Sequence, residues 1–278
     1  MMGGMVMIRK TAVTIIGTKD IQTEIFEQIK PYLYEPELKN MSVPDFGNLR
    51  LILEDQTGVD LFMRICDEKG LHPRVTQWVK YTAAEKKKVE YYSMHVSDPL
   101  ELEGTNAASY GTQYEGRCEY CGLGGRLAGD VLVDRKFVRK HKIGCLYPDI
   151  YVSAEIKAII EGEGLTGVSF EHRVRDYKGR ELPELYVMSI HNVLPPMSDA
   201  TWLIEDVDPW NKECGHHTLF LHSDVQYERE KLSGAKDFNL SKEYVNNYRM
   251  QEIIVSARVR EVFKKHKIYA GFFPVALL

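Results

Sequence analysis

Residues 149–154, Asp-Ile-Tyr-Val-Ser-Ala, and residues 252–257, Glu-Ile-Ile-Val-Ser-Ala, are one short pattern written twice, 103 positions apart. Both read as an apolar run that closes on a serine. The match continues downstream, where Ile156, Ile159 and Ile160 fall on Val259, Val262 and Phe263 and keep the i, i+3, i+4 apolar stripe of a one-sided helix. Leu165 then falls on Ile268, and Phe170 on Phe273. A serine ahead of such a stripe can accept a hydrogen bond from the free amides of the first helical turn, so Ser153 and Ser256 are expected N-caps. Gly164 and Lys267 stand at the stop position, where a left-handed backbone suits only the glycine. Each copy thus predicts strand, serine cap, helix, tight turn and strand.

Upstream, each copy carries a Cys-Gly step, Cys121-Gly122 and Cys214-Gly215, lying 32 and 42 residues before its serine. The longer spacing predicts an insertion in the second copy that includes Asn239 to Arg249. Cys118-Glu119-Tyr120-Cys121-Gly122 is a CxxCG knuckle: two thiolates at this spacing can bend around one tetrahedral ion, and the glycine lets backbone amides turn toward them. Two further ligands are required. One completion takes Cys214 with His216, or with His217 in its place, and gives a Cys₃His site formed between the copies. The other is local, with His141 and Cys145. The closed four-ligand inventory points to structural zinc, and the scattered third and fourth thiolates argue against an iron-sulfur cluster.

Outside the copies, residues 8–110 read as one unit. Thr11 to Ile16 and Leu49 to Leu53 are β-like, Asp20 to Tyr34 has helical spacing broken at Pro31, and a second helix is expected over Asp60 to Lys69 with Gly70 as its stop. A capped turn at Thr82 to Lys88 leads into a strand at Val89 to Val96, and Leu100 to Gly116 reads as a loop. The expectation is an α+β protein: an N-terminal α+β unit over 1–110, then two degenerate strand-helix-strand repeats with a Cys knuckle, 111–200 and 201–278.

The bulk properties narrow the function. A chain of 278 residues that is 44% hydrophobic has ample core for two or three packed units. A net charge of -4 gives no global drive toward nucleic acid or membrane. The first ten residues lack the order of a signal peptide, and no apolar run approaches the roughly 18 residues of a membrane span, so a cytoplasmic protein is expected. Five cysteines fit a reducing compartment, with Cys66 as a buried hydrophobe. The most basic stretch, Arg135 to Lys142, contains Phe137 and could contact phosphates and a base; as a solvated strand and turn it needs no ligand. His217 and His222 would face opposite sides of a strand. No GxSxG elbow, HExxH helix or P-loop is present, and an enzyme would need a pocket of mutually oriented titratable groups.

The CEYCG of Cys118 to Gly122, the later ECG of Glu213 to Gly215 and the paired VSA-led helices together resemble the double-CXXCG motif proteins of bacteria, relatives of predicted immunity proteins of polymorphic or contact-dependent toxin systems. The resemblance covers roughly residues 80–278. It implies a noncatalytic partner that neutralises a cognate protein toxin by occlusion, with Cys118, Cys121 and Cys214 at a zinc site. Asn211 stands where the family pattern has a fourth cysteine, so a neighbouring histidine would have to replace it. Trp202, Trp210, Tyr227 and Tyr244 are as suited to a core as to an interface.

Overall fold

A computed structural model of the chain describes residues 8–33, 46–53, 55–96, 114–118, 124–133, 135–138, 142–145, 150–176, 178–205, 219–245 and 250–278. The chain is of the α+β class and divides into two compact units, Met1–Lys88 with His222–Asp224, and Val89–Leu221 with Val225–Leu278.

In the first unit, β1 (Ile8–Thr18) lies between β2 (Phe46–Leu53) and β3 (Arg74–Lys80) in an antiparallel sheet. Val13 and Ile15 are buried, as are Ile25 and Ile29 of α1 (Lys19–Ile29) and Phe62, Ile65 and Cys66 of α2 (Gln56–Glu68). Burial, with Asp67 nearby, pushes the Cys66 thiol up to about 11, so this cysteine is inert filler. Helix α1 gives way to a 3-10 turn, Lys30–Tyr32, that contains Pro31. Helix α2 starts at Gln56 rather than Asp60, because the Asp55 carboxylate accepts the Gly58 amide at 2.7 Å and caps it there. Gly70 closes that helix at φ +64°. Thr82 and Glu85 form a capping box around α3 (Ala83–Lys86). Strand β3, of mixed polar and apolar sequence, was not foreseen.

Residues His222–Asp224 run along the outer edge of β3. Gln77 N donates to the His222 carbonyl at 2.6 Å, His222 Nδ1 donates to the Val75 carbonyl, and the Val79 amide donates to Asp224 Oδ2. Burial raises the Asp224 carboxyl to about 6 despite that amide. A raised folded value means the native state holds a proton that the unfolded state has released, so this group makes the unit lose stability as pH rises from 4 to 6. Asp224→Asn, which keeps an oxygen for Val79, is expected to raise stability at pH 7 by roughly 1–3 kcal/mol and to flatten the pH 4–6 slope. Urea unfolding at several pH values checks this.

The second unit comprises β4 (Tyr91–His95), β5 (Tyr114–Arg117), β6 (Gly124–Leu127), β7 (Val131–Val133), α4 (Arg135–Val138), β8 (Ile143–Cys145), β9 (Ile150–Ser153), α5 (Ala154–Gly162), β10 (Val168–Glu171), β11 (Val174–Asp176), β12 (Leu185–Ile190), β13 (Leu203–Glu205), β14 (Leu219–Leu221), β15 (Gln226–Tyr227), β16 (Phe238–Val245), β17 (Met250–Ser256), α6 (Ala257–Lys265), β18 (Gly271–Pro274) and β19 (Ala276–Leu277). The bounds of α5 and β10 recur in α6 and β18 with the 103-residue offset seen in the sequence. One sheet has the order β10-β12-β9-β8 and the other β18-β4-β17-β16-β14-β13. The first four strands of each correspond, and all are antiparallel neighbours.

If each copy is counted from the strand that leads into it, β4 or β12, rather than from residues 111 and 201, the strand in second place of each sheet comes from the opposite copy. β4, which precedes the first copy, pairs with β17 and β18 of the second, while β12, which precedes the second, pairs with β9 and β10 of the first. The contacts are equivalent: Ala154 N donates to the Glu184 carbonyl at 2.8 Å, and Ala257 N to the Glu90 carbonyl at 2.7 Å. Glu90-x-Tyr92-x-Met94 and Glu184-x-Tyr186-x-Met188 are themselves a match, 94 positions apart. The second unit consequently begins at Val89, short of residue 110, because the strand foreseen at 89–96 belongs in its sheet.

Both helices pack on one core that includes Ile156, Ile160, Val259, Val262, Phe263, Tyr92, Met94, Met188 and Phe238. Arg258 at the start of α6 donates to the Glu163 and Gly164 carbonyls that end α5, and Lys265 and His266 hold the Glu163 carboxylate at 2.6 and 3.3 Å. The cap expected at Ser153 is present, with Ile156 N at 3.3 Å. Ser256 departs from expectation: its hydroxyl donates to Asp237 Oδ1 at 2.7 Å, the charged carboxylate being the stronger partner. Of the segment expected to hold the insertion, Asn239 to Val245 belong to β16, a bulged interior strand of eight residues where its counterpart β8 has three. Buried Asn239 bonds the backbone of Lys236 and Ile254 and the Asn192 side chain, which fixes that strand.

Gly164 and Lys267 both adopt left-handed backbone, φ +63° and +55°, and both helices end with the same bond, Leu165 N to the Ile160 carbonyl and Ile268 N to the Phe263 carbonyl. The second copy keeps the geometry without the glycine. Lys267→Gly is expected to stabilise the protein by about 1 kcal/mol, read as a higher urea midpoint at unchanged slope.

Candidate functional site

Two strands that pair antiparallel flank the knuckle in sequence. β5 and β6 pair antiparallel, Tyr114 with Leu127, Glu115 with Arg126 and Arg117 with Gly124, so residues 118–123 connect the two strands. Cys118 follows β5 and is half-buried. β13 and β14 also pair antiparallel, Leu203 with Leu221 through Glu205 with Leu219, and residues 206–218 connect them. Cys214 lies in that connection. Both Cys-Gly steps therefore fall between the strands of an antiparallel pair, and each pair follows the exchanged strand of its copy, β4 or β12.

Of the expected ligands, Cys118 and the backbone of Cys145 are described; Cys121, His141, Cys214, His216 and His217 lie outside the described residues. Cys145 ends β8 opposite Ile150. Among the described residues no three His, Cys, Asp or Glu side chains are gathered as a metal site would need. In the basic stretch, Arg135 to Val138 form a single helical turn where a strand was expected, and Val138 is in the core.

Neither a protein-family model nor a curated protein matches the chain. The resemblance to double-CXXCG proteins accordingly rests on the residues themselves.

One titratable cluster superficially resembles a catalytic triad. Buried Glu252 accepts from Ser93 Oγ, and His95 Nε2 lies 3.1 Å from Ser93 Oγ and 3.3 Å from Glu252 Oε2. A hydrolytic triad needs the imidazole to hold the carboxylate on one nitrogen and the nucleophile on the other. Here one nitrogen faces both, and Ser93 is buried with its proton directed at the acid. The hydrogen bond to Glu252 lifts the His95 imidazole above its ordinary value. Burial raises the Glu252 carboxyl, but His95 and Ser93 outweigh it and leave it below the usual range. The cluster thus ties β4 to β17 by hydrogen bonds, and becomes an ion pair when His95 is protonated. Its members were legible only after the strand exchange, since 157 positions separate His95 from Glu252.

A second buried carboxylate, Asp176, accepts the Lys178 and Arg180 amides and Arg180 Nε, and organises the turn at Gly179. A shallow groove of about 370 Å³ is lined by Thr166, Gly167, Val168, His191, Asn192 and Lys236. Gly167 has φ +95°, and a Cβ there would lie 2.2 Å from the Phe238 carbonyl oxygen, so only glycine fits. No helix among the described residues is long and apolar enough to cross a membrane.

Proposed function

We propose that the chain is a noncatalytic protein-binding module with structural zinc, an immunity protein that neutralises a cognate bacterial toxin in the cytoplasm by occluding it. What supports this reading is that both Cys-Gly steps lie, in sequence, between strands that pair antiparallel and that follow corresponding strands. Cys118, Cys121 and Cys214, with His216 or His217, would hold the ion. Four protein ligands leave no open position, so the metal would stabilise and not react. The rigid exchanged core then serves as a platform, with affinity concentrated in a few aromatic or charged anchors.

The test is protection. A toxic domain encoded beside this gene is expressed in a susceptible bacterium with and without the chain. Growth restored only with the chain, together with a purified one-to-one complex, supports the proposal; undiminished killing in the presence of folded chain contradicts it.

A further inference from the structure

We propose that the outer edge of β18 docks an extended segment of a partner protein in which an acidic residue precedes an aromatic one. In the first copy the protein itself displays how such a segment engages the turn that leads into the corresponding end strand, β10. There, the turn after α5 is engaged by residues 236–238: Phe238 N donates to the Thr166 carbonyl at 3.0 Å, and the Asp237 carboxylate accepts from Thr166 N at 2.9 Å and Thr166 Oγ1 at 3.0 Å. The counterpart of Thr166 in the second copy, 103 positions on, is Tyr269.

Tyr269 is 88% exposed, and Phe273, the counterpart of Phe170, is 54% exposed with its ring 4.9 Å from that of His95. β18 ends its sheet, so among the described residues no strand covers its outer side. An uncovered strand edge with two projecting aromatics is the arrangement that captures extended peptides by adding a strand. The charge selects the segment. Lys264, Lys265, His266 and Lys267 precede the edge; Glu163 engages Lys265 and His266, while Lys264 and Lys267 form no ion pair among the described residues. An acidic residue in the Asp237 role would meet the turn amide beside this basic run. Pro274 cannot donate to an added strand, which limits the added strand to residues 269–273.

This docking edge rests on the reading of the chain as a protein-binding module, and its test needs no toxin. The probe is an acetylated, amidated peptide copying residues 234–241, Gly-Ala-Lys-Asp-Phe-Asn-Leu-Ser, titrated into the ¹⁵N-labelled full chain. Saturating shifts of the amides of residues 268–273 are expected, with affinity reduced about fivefold or more by Asp→Asn in the peptide and by Tyr269→Ser in the chain. Tyr269 is a surface residue, so that variant folds. Absence of shifts in those amides at about 2 mM peptide, or an equal response to a scrambled peptide, overturns the proposal. Shifts of the same amides on raising protein concentration alone would assign the edge to a second copy of this chain and overturn it as well. Failure of the peptide test leaves the protection assay able to decide the wider reading.

Discussion

A chain cut to residues 97–278 is expected to lose cooperative unfolding, whereas one cut to residues 87–278 keeps it. The difference is β4. Tyr92 and Met94 are 3% and 2% exposed, and the strand is hydrogen-bonded on both sides, to β17 and β18. Losing two large core side chains costs about 2–5 kcal/mol each. Opening both ladders adds roughly 1 kcal/mol per bond, and the sum approaches the whole stability of a typical domain, about 5–15 kcal/mol. Adding a peptide of residues 87–96 to the shorter chain should restore dispersed amide resonances. Equal urea midpoints and slopes for the two chains would show that the exchanged strand is dispensable.

The second large effect concerns the metal. If Cys118, Cys121 and Cys214 close one zinc site, removing the ion leaves two hairpins without their common anchor. Structural zinc contributes about 10–16 kcal/mol to the folding of isolated fingers; in a chain with an independent core only part of that is felt. Chelation, or Cys118→Ser, is expected to lower stability by about 3 kcal/mol or more, a fall of roughly 10 °C in melting temperature, and to abolish amide protection in β5 and β6. Melting and exchange unaltered by chelator would remove the metal from the account.

The sequence offset of 103 residues was enough to place β9, α5, β10, β17, α6 and β18, because amphipathic stripes and terminal turns are local signals. Strand exchange is not local. The Glu-x-Tyr-x-Met match between residues 90–94 and 184–188 was available, but three residues of alternating pattern do not say which sheet a strand joins. The same limit explains Asn239 to Val245: the longer Cys-to-Ser spacing marks extra residues there, and only the pairing with β17 that lets Asn239 bond the Ile254 carbonyl shows them to be strand. At the candidate site the Cys motifs were legible, since their chemistry is written in spacing. Their setting between paired strands was not, because β5, β6, β13 and β14 span only three or four residues each and carry little periodicity.

The most direct test of a shared zinc site is the metal content of the purified chain by elemental analysis, beside Cys118→Ser and Cys214→Ser. About one zinc per native chain, absent from both variants, is the result expected if the two hairpins close on one ion. Zinc retained in Cys214→Ser would place the site at His141 and Cys145, and no zinc in the native chain would contradict the metal-bound module altogether.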